Sequence, residues 1–297
     1  MLVATSLHAA DSAVDIDTAA NLYQAGAIRL QVRASLGSMP AHVRQLFAAD
    51  ASAKLSEQQL GAVTAAAERG FRIDVFEPPA LSALAANLDS ATVKKAQAFL
   101  DSDLGRRMVA ADVAVATLEE ASVDKVMSGA LAVPSTARRD ALIDKLERTS
   151  RYTEATVQIF LSMGQAVAIG TAIGSGMDQI AVAERARKSG EASRAGLEDS
   201  MRAPLRRSMA YGYRDLSDAD LKHLSAFLES PAGKRYVSAY IAAMSAGFDA
   251  MGRRCGEQLG ESLRELAQAQ VSPPMESAAE PPAMTDPAPA SVPAPHP

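Results

Sequence analysis

The sequence predicts an all-α protein of two tandem related helical units, helix-corner-helix repeats packed as one body, with a disordered Pro-rich C-terminal tail. Three observations carry that expectation. Apolar residues recur at steps of three and four along every strongly patterned stretch and show no sustained alternation, so the period is helical. Ser, Asp or Pro stands where those stretches begin and Gly or Pro where they end, as capping requires. Finally, Leu216 to Tyr240 has a diverged copy at Leu88 to Asp112.

In chain order, residues 1–10, MLVATSLHAA, end in small residues and read as the remnant of a secretory signal whose basic and apolar front is missing. Asp15 or Asp17 caps a helix through Leu22, Ile28, Leu30 and Val32 to Leu36, which Gly37 to Pro40 breaks. A short helix with Val43, Leu46 and Phe47 follows. Ser56 and Gln59 form a capping box for a helix that stops at Gly70. Pro78-Pro79 starts the next, through Leu81, Leu84 and Leu88. After a corner, a long helix is expected from about Asp103 to Gly129, and Pro134 closes the first unit, residues 11–133.

The second unit, residues 134–270, opens with a helix on Ala141, Leu142 and Leu146. Val157 to Met177 carries no charge and contains Gly170 and Gly174 at the spacing of membrane helix dimers. Gln158, Gln165, the many small residues and the missing aromatic belt instead favour a central helix buried in the body, with no stable membrane span. Ala181 to Ser200 reads as a polar, solvent-facing stretch interrupted at Gly190 and Gly196, and Pro204 as a helix start. One long helix then runs from Pro231 to about Gln268, its seam formed by Val237, Ile241, Met244, Phe248, Met251, Cys255 and Leu259. Residues 271–297 are Pro- and Ala-rich without an apolar period, a disordered spacer.

The two copies align at a constant offset, Ala91 on Ala219, Lys94 on Lys222, Phe99 on Phe227, Ser102 on Ser230, Gly105 on Gly233 and Arg107 on Arg235 among others. Self-similarity of that kind marks an internal repeat. In the second copy Ser217 and Asp220 form a capping box, Leu221, Leu224, Phe227 and Leu228 an apolar stripe, and Ser230-Pro231 ends one helix and opens another. Gly233 then permits a close approach. Phe99, Ser102, Gly105, Phe227, Ser230, Pro231 and Gly233 thus form a structural signature, a packing corner rather than a binding site; Asp103 replaces the proline in the first copy.

The pattern from Leu221 to Tyr236 resembles that of a family of small helical envelope proteins of Gram-negative bacteria, labelled domain of unknown function 2059. Arg138 to Phe160 also resembles that domain's opening helices. Leu228 stands where the family usually has Tyr, and the pattern occurs here twice. The resemblance implies a helical fold and export to the periplasm. It brings no activity and no site residues.

Composition narrows the function. In 297 residues, 48% hydrophobic and 22% charged, a sizeable core can form. The net charge is −5, and Glu276, Glu280 and Asp286 of the tail supply much of it, so the body is near neutral and has no nucleic-acid footprint. The dibasic pairs at 106, 138, 206 and 253 are scattered and read as solvated faces. Cys255, the only cysteine, excludes an intramolecular disulfide and reads as a buried, inert thiol. His8, His42, His223 and His296 show no metal-ligand spacing, and no phosphate loop or nucleophile elbow is present. Asp218 and Asp220 suit the first turn of a helix. No catalytic residue, metal or cofactor is expected. The expected role is a non-catalytic periplasmic protein-interaction module with an envelope protein partner, its Met and Leu seam dry and filled. The alternative is a carrier of lipids or other apolar ligands, which needs a cavity of at least ~300 Å³.

Overall fold

A computed structural model of the protein describes residues 14–49 and 55–271. The signal remnant expected at residues 1–10 lies outside them, as does all of the expected tail but Val271. The described residues form thirteen α-helices and no strand.

α1 (Ile16–Ala25) starts where the Asp15 carboxylate accepts the Thr18 amide. The single helix expected to reach Leu36 is broken by Gly26 and by Ala27, which adopts a left-handed φ of 50°, and α2 (Ile28–Leu36) begins anew. α3 (Met39–Ala49) precedes α4 (Glu57–Gly70), which the complete Ser56–Gln59 capping box opens. α5 (Ile73–Asn87) starts ahead of Pro78 and Pro79, so the prolines sit inside the helix and not at its head.

α6 (Ser90–Leu100) and α7 (Asp103–Ala116) enclose the first corner. The long helix expected to Gly129 is two helices: Thr117 ends α7 and bonds back to the Val113 carbonyl, and α8 (Glu120–Ser128) follows. Val113, Val115 and Thr117 are β-branched and weak helix formers, which favours the break there. α9 (Ala137–Ser150) and α10 (Tyr152–Ser175) lead to α11 (Gln179–Gly212), unbroken through Gly190, Gly196 and Pro204, against expectation. Ion pairs at helical spacing, Arg187 with Glu184 and Glu191 and Lys188 with Glu184, support the exposed stretch by a few tenths of a kcal/mol each. α12 (Asp218–Glu229) and α13 (Pro231–Val271) enclose the second corner.

α13 is the axis of the body, with α4, α5, α6, α10 and α12 all packed along it. Its contact with α10 is backbone to backbone. A Cβ added at Gly256 would overlap the Val167 carbonyl and one at Gly260 that of Thr171, while one at Gly170 would overlap Arg253 and one at Gly174 Glu257. The contacts advance together along both helices, so the pair runs parallel. The membrane-dimer spacing of Gly170 and Gly174 therefore finds its partner within the chain. α10 is covered on that edge and on the side of Val157 and Ala172, which packs toward α11, but not all round as expected; Phe160 and Ile173 are 45% and 40% exposed. By length and composition α10 is apolar enough to cross a membrane.

Two apolar clusters result. The larger gathers Leu22, Val32, Val63, Phe76 and Leu84 under Met251 and Cys255 of α13. Gly247 admits the Phe76 ring, and Gly70 lies against the backbone of Cys255. The smaller joins α9 to α12 through Ile143, Leu146, Leu221 and Leu224.

Candidate functional site

The expected signature residues form two corners of matching geometry. Ser102 Oγ donates to the Phe99 carbonyl at 2.5 Å and accepts the Gly105 amide at 3.0 Å; Ser230 Oγ does the same with Phe227 at 2.6 Å and Gly233 at 3.0 Å. A side chain at either glycine would strike the carbonyl of the preceding phenylalanine. The Phe99 and Phe227 rings stack face to face, 4.0 Å apart and 2° from parallel. Arg107 reaches across to Asp220 at the head of α12, and Arg235 to Asp89 at the head of α6, at 2.8 and 2.7 Å. Arg107 holds the Asp220 carboxyl below the usual carboxylate range, and the backbone amide of Thr92 leads in doing the same for Asp89. Each corner therefore clamps the cap of the other. None of these signature residues lines either of the two hollows described next.

The cavity lies next to the corners, where α7, α11 and α13 diverge and α2 and α10 close the sides. Its volume is about 410 Å³. α7 contributes Met108, Val109, Asp112 and Ala116, and α13 contributes Tyr236, Val237, Tyr240 and Met244, the residues found at the same offset that relates the two copies. The first turns of the α13 seam thus border this hollow. At one end Gly26, lacking a side chain, leaves room for the Tyr236 hydroxyl. At the other, Tyr213 caps α11, and its carbonyl accepts a 2.6 Å bond from Arg139, which also donates to the Leu216 carbonyl at 2.9 Å. Arg207 likewise donates to the Met127 carbonyl of α8. These arginines are braces, not the solvated faces expected of them.

Asp112 is the centre of the site. It is partly exposed, on the cavity side, and burial pushes its carboxyl up to about 7, a rise that the neighbouring Tyr213 hydroxyl only partly offsets. Tyr152, Tyr213, Tyr236 and Tyr240 line the same cavity. All four phenols are raised above the ordinary tyrosine value by burial first, with the Asp112 charge adding to each and the neighbouring Tyr236 to Tyr240. They stay protonated and can donate as well as accept. Four of the six tyrosines thus stand on one cavity around one acid. An acid pushed upward by burial and placed in a cleft makes this hollow the candidate site.

A second hollow of about 400 Å³, between α9, α10 and α11, is lined by Glu147, Arg151, Glu154, Arg194, Glu198 and Arg202 among others. Its charges pair with one another, Arg202 with Glu147 and Arg151 with Glu154. That is an ionic surface brace with no apolar wall. Cys255 is buried as expected, its thiol pushed up to about 11 by burial, away from either hollow.

Residues 205–261 match a family described as uncharacterized proteins conserved in bacteria, domain of unknown function 2059. The match covers the second corner and the α11 and α13 walls of the cavity. Asp112 and the first corner lie outside it. No curated protein and no solved structure matches the chain.

Proposed function

We propose that the protein is a non-catalytic binder of a small, largely apolar ligand, held in the cavity between α7, α11 and α13. The observation that supports this is the cavity itself. At about 410 Å³ it falls within the range of ligand sites, and apolar walls with a few convergent polar groups are what such sites present. Met108, Met209 and Met244 give it an adaptable lining. Periplasmic export is part of the reading and is supported by the resemblance to a family of envelope proteins. A protein-interaction role has one observation in its favour, the exposed apolar end of the α10–α11 hairpin, where Met177 and Ile180 are 53% and 78% exposed.

The test is native mass spectrometry of gently purified protein, with titration by a short alkanol. One bound small molecule per chain, or saturable one-to-one alkanol binding that Ala116→Phe abolishes by filling the cavity, is the expected result. A chain that is empty and binds no apolar probe would leave the interaction role as the better reading.

A further inference from the structure

We infer that the ligand is an organic cation, an ammonium group on an apolar body, with Asp112 as its counter-ion. This rests on the cavity-binding reading and goes beyond it by naming the charge of the ligand. The fold supplies an arginine to each buried acid among the described residues: Asp89, 4% exposed, meets Arg235 at 2.7 Å, and Glu147, 6% exposed, meets Arg202 at 3.5 Å. Asp112 has no such partner among the described residues. The neighbour that favours its charged form is the Tyr213 hydroxyl, a neutral group. A partly buried carboxylate without a counter-ion is costly, and the surface Asp112 keeps lies on the cavity.

The rest of the lining points the same way. No Lys, Arg or His lines the cavity. A fatty acid or a phospholipid phosphate would therefore add a second negative charge beside Asp112 with nothing to neutralise it, and like charges at such range disfavour each other strongly. An ammonium does the reverse. It donates to Asp112 and to the phenol oxygens, and electron-rich tyrosine rings suit a neighbouring cation. A cation beside Asp112 would favour the charged carboxylate that burial disfavours. At roughly 30 Å³ for each water in the liquid, the cavity has room for a ligand on the order of a dozen heavy atoms.

The experiment is calorimetric titration at pH 8 with decylammonium, decanol and decanoate, which share one chain and differ in charge, on the wild type and on Asp112→Asn. Decylammonium is expected to bind roughly tenfold or more tighter than the other two, as a charge-assisted hydrogen bond in a buried site would give. Asp112→Asn is expected to remove that advantage, so that decylammonium binds no tighter than decanol. As a second measurement needing no variant, decylammonium binding at pH 7 releases protons from Asp112, seen as enthalpies that depend on the buffer, while decanol releases none. If decanol or decanoate binds as well as decylammonium, the cation inference is overturned and the cavity reading stands. If none of the three binds, both fall.

Discussion

Asp112 carries a pH signature of its own. Its folded value of about 7 lies above the ordinary aspartate value of about 3.9. Between those limits the native state keeps a proton that the unfolded chain has lost. Stability from this group is therefore complete below about pH 4, declines as the pH rises to 7, and is flat above. Asp112→Asn is expected to raise the melting temperature at pH 8 and to leave it unchanged at pH 4; equal effects at both would place the carboxyl in contact with bulk water. Sequence reasoning passed over the acid, although it is the only charge between Arg107 and Glu119, alone on a helix face of Met and Val. Its tyrosine neighbours were not, because they arrive from α10, α11 and α13. The neighbouring arginines Arg138 and Arg139 read alike in sequence and differ in role. Arg139 is 14% exposed and ties down the Tyr213 carbonyl, whereas Arg138 is 68% exposed. Arg139→Met should cost about 1–3 kcal/mol, since it orphans buried carbonyls, and Arg138→Met less than about 0.5 kcal/mol, by urea unfolding.

Among helices, the termini were the legible part. Ser56, Ser102, Ser217 and Ser230 each cap the helix that their spacing announces. The interiors misled wherever packing outweighs propensity: Pro204, Gly190 and Gly196 lie within one continuous α11. On α10 the same substitution should act in opposite directions at two glycines. Nothing lies within 4 Å of a Cβ at Gly164, so Gly164→Ala should stabilise by up to about 1 kcal/mol through helix propensity. Gly170→Ala would press on the Arg253 carbonyl and should destabilise by about 1–3 kcal/mol through overpacking. Like signs in chemical denaturation would mean that α10 and α13 do not touch where described.

For the molecule as a whole, the helical class was legible from period alone, while the pairing of α10 with α13 was not, because each glycine series makes sense only opposite the other. A protein starting at residue 11 should partition into water rather than detergent, since α13 covers the Gly170 edge of α10 and Arg194 bonds Gln158 on another face at 2.6 Å. Recovery in the detergent phase would return α10 to the membrane. The parallel seam also behaves as a rack. Ala166, Gly170 and Gly174 on one bar, and Gly252, Gly256 and Gly260 on the other, repeat every four residues, so a slide of one tooth sets small residues against small residues again. Such a slide is about one helical turn, roughly 5.4 Å, and would carry Tyr236 and Tyr240 past Asp112 and dismantle the cavity. The teeth cannot tell the two settings apart. What tells them apart are pins that fit in one place only, the Phe76 ring seated at Gly247, the Cys255 backbone against Gly70 and the Ser230 corner at the head of α13.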